Sequence, residues 1–506
     1  MNITTVGFLL FIVTGLIVYY LIPTAWKNKL LLIMSLAFSA FFDLRCLIFI
    51  VLVSVSAYVA GLLLDKRSAK EGDYDLMIKK GRAIITLNVV FDVAILFLVK
   101  YYNPLVNTIG RIAHFSAEAQ GNLRLNLIVP LGISYYTLQA ISYVVDVYWQ
   151  KYKAEKNYFN LLLFISYFPQ MVQGPINRYD KMSAEFSKPH TFNIKNIKFG
   201  AQLMIWGFIK KLIVADKLST SVQAVFYDDS VTPYGLTVVI GLIIYGIQLY
   251  CDFSGGIDII RGVSEMFDIE LAVNFRQPYF SKSLAEFWQR WHISLGAWMK
   301  DYIFYPISMS SPLKKLKKSL KGKVSKHTVN RIPIAIADIL VFILVGLWHG
   351  AGYKFLAWGI YNGVILAFSN MMTDSYAKGL KRLKINKRSK GWEYFSIFRT
   401  LVIVTFGWVF DCTDTPARTL EIVKNMFLLG RTNLSVIGIS SSYIWATAVC
   451  VLLLVVSIIN ENGKSVREEL SKRSVWIQIL IWVLLIQLIP LFFTSGSEGG
   501  FMYANF

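Results

Sequence analysis

The chain has 506 residues, of which 55% are hydrophobic and 15% aromatic, and it carries a formal net charge of +21. Its mean hydropathy of +0.51 excludes an ordinary soluble domain and predicts a membrane protein. The positive charges lie in short loops between apolar runs, so they do not indicate nucleic-acid binding. The sequence has no phosphate-binding loop, dinucleotide fingerprint or cluster of metal ligands, and it predicts neither a metal site nor a bound cofactor.

Apolar runs recur along the whole chain, and most are long enough to span a membrane or nearly so. They predict an all-α polytopic protein with about 11–13 membrane helices or re-entrant segments. The runs are Val6–Ile22, Leu30–Phe42, Cys46–Leu64, Ala83–Val99, Leu127–Trp149, Tyr158–Val172, Phe199–Val214, Leu236–Cys251, Pro333–Leu347, Phe355–Phe368, Phe395–Phe410, Tyr443–Ile459 and Val475–Phe493.

Lysine and arginine residues are concentrated in four loops. Asp65–Arg82 has six of them, Ser311–Arg331 eight, Lys378–Arg399 eight and Asn460–Arg473 four. Such loops mark the cytoplasmic side of a cell membrane, although a patch that binds anionic membrane lipids would use the same residues. The pattern predicts that both ends of the chain are extracellular. We treat residues 1–506 as a single membrane domain with an extracellular tail at 494–506.

Two segments combine apolar surroundings with residues that disturb a helix. Phe168–Arg178 contains two prolines and a glycine, and such backbone at membrane depth is expected to be irregular and to line a cavity. Tyr250–Asp258 places two aspartates and two glycines at the end of an apolar run. The glycines permit a broken or a tightly packed helix, and the aspartates are expected to line a polar cavity.

The stretch Phe287–Tyr302 is too polar to span a membrane and too aromatic for a free loop. It predicts an interfacial or inward-dipping helix that carries His292, and the alternative is an amphipathic surface helix. Arg290 and Asp301 are candidates to pair with each other or to bind an anionic group. The remaining histidines outside the apolar runs lie in polar stretches and are predicted to be ordinary surface residues: His114, His190 and His327.

His349 lies between two apolar stretches, Pro333–Leu347 and Lys354–Phe368. An ionisable residue at membrane depth is costly in lipid, so the imidazole is expected to face protein or a water-filled cavity and is a candidate functional group. The alternative is a histidine at an interfacial turn.

Six separate motifs follow one another along the chain: Pro130–Thr137, Gln173–Tyr179, Asp252–Gly255, Asn274–Tyr279, Phe287–Leu295 and Leu347–Ala351. Taken together, they make the chain resemble the membrane-bound O-acyltransferase (MBOAT) family, in particular its bacterial polysaccharide branch. That branch contains alginate and peptidoglycan O-acetylation proteins and the D-alanyl transferases of teichoic acids. One position departs from the family pattern, because Asn362 stands where homologues often have a further histidine.

The resemblance implies about a dozen helices around a central funnel with His349 at its base. It implies acyl transfer from a cytoplasmic thioester, either acetyl-CoA or an acyl carrier protein, to an extracellular acceptor. A histidine suits removal of the proton from an attacking hydroxyl, so His349 is the predicted general base. His292 is predicted to orient a substrate or share the proton. The developing oxyanion requires hydrogen-bond donors, and the candidates are Asn274, Arg276 and Arg290. The other predicted substrate-binding residues lie at the motif positions: Trp348, Asp252, Ser254, Gln173 and Arg178.

The segment Phe501–Phe506 resembles a C-terminal motif of this branch. In that picture Tyr503 accepts the acyl group and passes it to an extracellular SGNH-type transferase that modifies the acceptor polysaccharide. The alternative is an aromatic anchor at the interface. Length and the fused tail favour an acetyl group over the D-alanyl group of teichoic acid transferases. A transporter of polysaccharide precursors is the competing class, but no inverted repeat supports it.

Overall fold

A computed structural model describes residues 3–70, 74–228, 230–438 and 442–492. Within these ranges the chain is helical and forms no β-strand, which confirms the predicted all-α class. Isolated bridges join Phe275 to Trp291 and Lys321 to Val324. The described residues group into two compact units. The first unit comprises the residues up to Phe208 together with Gly255–Ala272, and the second comprises Ile209–Ser254 and the residues from Val273 onward. A single domain over residues 1–506 stays a prediction.

Eleven helices of the first unit precede the boundary at Phe208. Most end where glycine, proline or a polar turn interrupts an apolar run. They are α1 (Val6–Leu21), α2 (Thr24–Phe42), α3 (Cys46–Lys70), α4 (Tyr74–Lys100), α5 (Tyr102–Ile112), α6 (Ala117–Leu123), α7 (Ile133–Tyr148), α8 (Tyr158–Ser166), α9 (Phe168–Met171), α10 (Tyr179–Ser187) and α11 (Ile194–Phe208).

The second unit begins with a π-helix, Ile209–Ala215, and a second π-helix follows at Gln223–Tyr227. A third π-helix is Lys300–Phe304, and short 3₁₀ turns lie at Pro278–Phe280, Leu429–Arg431 and Leu434–Ile437. The α-helices are α12 (Asp216–Val222), α13 (Leu236–Met266), α14 (Leu284–Arg290), α15 (Ile293–Met299), α16 (Tyr305–Ser308), α17 (Ser311–Leu320), α18 (Lys326–His349), α19 (Tyr353–Met371), α20 (Thr373–Arg382), α21 (Lys390–Asp411), α22 (Pro416–Met426), α23 (Ser442–Glu461), α24 (Val466–Ser471) and α25 (Val475–Phe492).

Seven helices in the described part of the chain are long and apolar enough to cross a membrane, and an eighth span is possible if α19 and α20, bent by 59°, count as one. The remaining predicted runs form shorter helices, or helices interrupted by irregular backbone. For this reason fewer segments are long and apolar enough to span a membrane than the 11–13 that the sequence predicts. The seven spans are Thr24–Phe42, Cys46–Arg67, Gly81–Lys100, Leu236–Met266, Lys326–His349, Lys390–Asp411 and Tyr443–Glu461.

Of the two alternatives for Tyr250–Asp258, a broken or a tightly packed helix, helix α13 shows an unbroken one. It runs without interruption for 31 residues through Asp252 and both glycines that follow it. Within the first unit, a Cβ atom placed on Gly207 of α11 would lie 2.5 Å from the carbonyl oxygen of Gly255 on α13. Gly207 therefore permits α11 to pack closely against α13 at Gly255, because only a residue without a side chain allows two backbones to approach so closely.

Helices α18 and α19 pack against each other as an antiparallel hairpin through glycine. A Cβ atom on Gly346 would lie 2.3 Å from the carbonyl oxygen of Phe355, and one on Gly359 would lie 2.4 Å from that of Phe342. Ser325 begins α18 by accepting a hydrogen bond from the backbone N–H of Thr328 at 3.1 Å. The hairpin leaves only residues 350–352 between the two helices, which places His349 at the turn.

We predict that Gly359→Val destabilises the protein, because its side chain would force the two backbones of the hairpin apart. Overpacking of this kind costs about 1–3 kcal/mol. The melting temperature in detergent, followed as the loss of monodisperse protein on heating, measures the effect. The control is Gly391→Ala, since a Cβ atom there meets nothing within 4 Å. Equal melting temperatures for wild type and Gly359→Val would contradict the packing argument.

Candidate active site

His349 is the last residue of α18, and 7% of its surface is exposed. Its ring lies 4.9 Å from the ring of Trp348 and 5.7 Å from that of Trp358 on α19, the latter nearly perpendicular at 87°. Trp348 and Trp358 are themselves buried. The structure therefore surrounds this imidazole with aromatic protein groups of the α18–α19 hairpin.

His292 lies at a break between two helices. The predicted continuous helix over residues 287–302 is wrong, because α14 ends at Arg290 and α15 begins at Ile293. At the break Phe275 forms an antiparallel bridge with Trp291, and the N–H of Ile293 donates to the carbonyl oxygen of Asn274 at 3.0 Å. These non-local bonds replace helical ones, and His292 takes up a left-handed conformation with φ of 48°.

The two histidines meet at one tryptophan. The His292 ring contacts the edge of Phe253 at 4.8 Å and the ring of Trp348 at 6.1 Å. Trp348 also lies against His349. Only 4% of the surface of His292 is exposed, so a substrate atom near Trp348 would meet both imidazoles in an environment from which water is largely excluded.

Asn274 supplies a buried hydrogen-bond donor beside His292. Its Oδ1 atom accepts hydrogen bonds from the backbone N–H of Ser294 at 3.0 Å and from the Ser294 hydroxyl at 2.8 Å. The residue has no exposed surface, and its Nδ2 group has no hydrogen-bond partner among the described residues. A buried amide that lacks an acceptor is costly, so this N–H₂ group is suited to an oxygen atom of a bound substrate.

Asn362, which stands where the family resemblance implies a further histidine, is buried and hydrogen-bonded within the protein. Its Oδ1 atom accepts a hydrogen bond from Trp288 Nε1 at 3.2 Å, and its Nδ2 group donates to the carbonyl oxygen of Trp358 at 2.9 Å. The Trp288 ring also contacts the Trp358 ring at 5.2 Å. The amide thus links α14 to α19 and positions the tryptophan that lies against His349.

The two arginine candidates have other environments. The guanidinium of Arg290 forms ion pairs with Glu286 at 2.6 Å and Glu461 at 2.7 Å, so the expected pair with Asp301 is not formed. The side chain of Arg276 is exposed, and its backbone N–H donates to the carbonyl oxygen of Arg290 at 3.0 Å.

Asp252 and Ser254 are buried and contact two lysines that the sequence analysis missed. Lys211 lies 2.6 Å from Asp252, and Lys210 donates to the Ser254 hydroxyl at 3.0 Å. Both lysines are at most 3% exposed. A signal for them was present, because two adjacent charged residues interrupt the apolar run Phe199–Val214, and charges inside such runs mark functional or paired positions.

The other predicted site residues lie elsewhere in the chain. Gln173 belongs to the first unit, is fully buried, and has no hydrogen-bond partner for either amide atom within the described ranges. Arg178, also in the first unit, is half-buried and precedes α10. Tyr503 lies outside the described residues. In the described part of the chain, no group of three or more potential metal ligands comes together.

His190 was expected to be an ordinary surface residue, and this expectation is wrong. Only 2% of its surface is exposed, and its Nδ1 atom lies 3.2 Å from Asp268 Oδ2. The pairing is non-local, so the polar sequence around His190 did not reveal it. His114, by contrast, is exposed as predicted.

Burial lowers the pKa of His292 to about 3. The unfolded histidine has a pKa of about 6.5, so below pH 6.5 the unfolded chain binds a proton that the folded chain does not. We therefore predict that stability is fully present above pH 6.5 and falls as the pH decreases toward 3. Melting temperatures between pH 7.5 and 4.5 should fall less steeply in His292→Asn than in wild type.

The matched control for this prediction is His114→Asn. His114 also has a left-handed conformation, with φ of 53°, but its side chain is exposed. Asparagine tolerates that conformation at both positions. The same pH dependence in wild type and His292→Asn would show that His292 binds its proton equally well in the folded and unfolded states.

Comparisons with known proteins identify the family of the chain. The model of the MBOAT, membrane-bound O-acyltransferase, family matches residues 154–387. The chain is 30% identical over 417 residues to the probable alginate O-acetylase AlgI of Pseudomonas syringae pv. tomato, over 82% of this chain and 73% of that protein. It is 26% identical over 548 residues to the peptidoglycan O-acetyltransferase of Helicobacter pylori, over 98% and 95% of the two chains.

A further relative is the teichoic acid D-alanyltransferase of Bacillus subtilis, 28% identical over 290 residues, which cover 56% of this chain and 68% of that protein. The resemblance noted from the six motifs is thereby confirmed. The apolar spans, the buried histidines and these matches lead to one conclusion: the chain belongs to the membrane-bound O-acyltransferase family and is a multi-pass membrane O-acyltransferase.

Proposed function

We propose that the protein transfers an acetyl group from a cytoplasmic thioester toward an extracellular polysaccharide. The acceptor hydroxyl attacks the thioester carbonyl, and His349 takes the hydroxyl proton as general base. When the tetrahedral intermediate collapses, the carbon–sulfur bond breaks and the ester bond remains. The proton then passes from His349 to the departing thiolate, so the reaction consumes no additional reagent. The thioester is acetyl-CoA or an acyl carrier protein and acts as a substrate.

The observation that carries this proposal is the meeting of His349 and His292 at Trp348. Little water reaches this site, which strengthens electrostatic interactions with a bound substrate. Burial lowers the pKa of His292, so the imidazole stays neutral and is a weak base. This suits a role in orienting the substrate better than a role in sharing the proton. The roles of His349 and His292 both require that the α18–α19 hairpin and the helix break at His292 bring the two imidazoles to Trp348.

We assign stabilisation of the developing oxyanion to Asn274, because its Nδ2 group is buried without a hydrogen-bond partner among the described residues. Removal of one such donor typically costs about 10²–10³-fold in turnover. Arg290 is held by two glutamates, and Arg276 is exposed, which leaves Asn274 as the preferred donor of the three. Gln173 is proposed to contact substrate for the same reason as Asn274.

The acetyl group is preferred over a D-alanyl group because of how much of the chain each kind of relative matches. The O-acetylase of P. syringae and the O-acetyltransferase of H. pylori cover 82% and 98% of this chain. The D-alanyltransferase of B. subtilis covers 56%. By their names, the acetylating relatives act on alginate and peptidoglycan, so we propose a polysaccharide of the cell envelope as the acceptor.

We further propose that the protein lies in the cell membrane with both termini outside and with Tyr503 as an acyl carrier. The basic loop at 460–473 is expected to be cytoplasmic, and the apolar segment after it leads outward. A phenol has a pKa of about 10, so its ester is a better acyl donor than an alkyl ester. Tyr503 would pass its acyl group to an SGNH-type transferase or to the acceptor itself.

We predict that His349→Ala abolishes polymer acetylation while the protein inserts and remains monodisperse in detergent. A general base contributes about 10²–10⁴-fold, and loss of this order falls below ordinary detection of acetylated polymer. His114→Ala is the control, since it removes an exposed histidine. Acetylation at the wild-type level in His349→Ala would exclude this residue as the base.

We predict that Tyr503→Phe stops transfer to the extracellular acceptor. The substitution removes one hydroxyl and keeps the aromatic ring, so an anchoring role requires near-normal activity. Mass spectrometry should find an acyl adduct on Tyr503 that accumulates when the extracellular transferase is absent and is missing in His349→Ala.

The side of the tail is tested by labelling. Ser497→Cys should react with an impermeant thiol reagent from outside, and the parent protein with its native cysteines provides the background. Labelling only from the cytoplasm would exclude both the topology and the carrier role.

A further inference from the structure

Two lysines are buried next to each other in the second unit at an irregular point of the backbone. Lys210 and Lys211 lie in the π-helix Ile209–Ala215, and 3% and 2% of their respective surfaces are exposed. Short π-helices are rare in proteins, and those that occur are often found at functional sites. Burying an ammonium group away from water is costly unless it is paired and hydrogen-bonded. A reason for keeping two of them is therefore required.

Both lysines bind the same short stretch of α13. The Lys211 ammonium lies 2.6 Å from Asp252 Oδ1 and 2.9 Å from Asp216 Oδ1, so it bridges two carboxylates. Lys210 donates to the Ser254 hydroxyl at 3.0 Å. Asp252 and Ser254 precede and follow Phe253, so the two lysines contact the side chains on either side of this residue.

Phe253 is fully buried and lies directly against the candidate active site. Its ring contacts the His292 ring edge-to-face at 4.8 Å with an interplanar angle of 81°, and it contacts Phe275 at 5.0 Å. Phe275 follows Asn274 in the chain, the residue whose Nδ2 group we assign to the oxyanion. A shift of the Phe253 ring would therefore displace both His292 and the segment Asn274–Phe275.

We propose that Lys210 and Lys211 are positioning residues for acyl transfer, which act by fixing residues 252–254 so that Phe253 holds the imidazole of His292 in place. The inference rests on the proposed role of His292. It gives Asp252 and Ser254 a task as partners of the lysines rather than as substrate contacts. A buried ion pair is weak support for stability, since apolar residues of similar volume often serve as well, and a fixed geometry is the more fitting reason to keep it.

The test is a double-mutant cycle on the full-length protein in proteoliposomes, with turnover of the acetyl thioester as the readout. The single variants are Lys211→Met and Phe253→Leu, which keep apolar volume but remove the ammonium and the ring. We expect each to lower kcat roughly 10–100-fold and to leave the KM for the thioester within about twofold, since misplacement of a catalytic group by 1 Å costs on this scale.

The double variant distinguishes positioning from general damage. If Lys211 acts through Phe253, the double variant should lose no more than the larger single loss, within about twofold. Multiplication of the two losses would overturn the proposal, because it would show that the residues act independently. Wild-type kcat in Lys211→Met would overturn it equally.

The control is Lys472→Met. Lys472 pairs with Glu469 at 2.7 Å, nearly the distance of the buried pair, but both side chains are largely exposed. This variant should keep wild-type kcat. If Lys211→Met does not fold because it leaves Asp252 and Asp216 without their cation, the cycle is run on Lys211→Met/Asp252→Asn/Asp216→Asn, which removes all three charges. The same non-additivity with Phe253→Leu is expected there, and multiplicative losses again overturn the proposal.

A second readout follows the imidazole itself. Modification of histidines by diethylpyrocarbonate, located by mass spectrometry, should leave buried His292 unmodified in wild type and modify it in Lys211→Met. Protection in both proteins would contradict the proposal. Failure of the proposed function is recognised separately, because it appears as retained transfer in His349→Ala, whereas failure of this inference leaves His349→Ala inactive.

Discussion

The candidate site depends on the close approach of helices α18 and α19, which glycine makes possible. Glycine at positions 346 and 359 lets each helix approach a carbonyl oxygen of the other, a distance at which any side chain would collide. This approach presents Trp358 to the ring of His349 and leaves a three-residue turn after the histidine. Without a hydrophobic driving force between helices in lipid, such small-residue packing is the main means of holding membrane helices together.

The second constraint is the cost of placing polar groups among apolar helices. Removal of one partner from a buried ion pair typically costs about 3–5 kcal/mol, because the remaining charge is left buried and unpaired. Lys211 on the π-helix Ile209–Ala215 and Asp252 on α13 therefore depend on each other. The amide of Asn362 likewise has both of its ends engaged, by Trp288 and Trp358. The Nδ2 group of Asn274 is buried and has no partner in the described part of the chain, and the same is true of both amide atoms of Gln173. What sets Asn274 apart is its position beside His292, where its backbone carbonyl oxygen accepts from the N–H of Ile293.

Several features of the site were predictable and several were not. His349 was recognisable because an ionisable residue between apolar stretches is costly in lipid. The break at His292 was not, because the bonds that interrupt the helix come from residues 274–276, which are distant in sequence. The burial of His190 followed from a partner 78 residues away, and the lysine pair was overlooked although its charges interrupt an apolar run.

The sequence by itself determined the class of protein, the order of its apolar segments and the family, because hydropathy and local motifs are properties of contiguous residues. It also identified His349, His292 and Asn274 as candidate site residues. Only the tertiary structure decided that α13 continues through its glycines and that Arg290 pairs with two glutamates. It also decided which aromatic rings contact His292 and His349. These are outcomes of packing between residues far apart in the chain, and no local pattern specifies the distance at which two such residues meet.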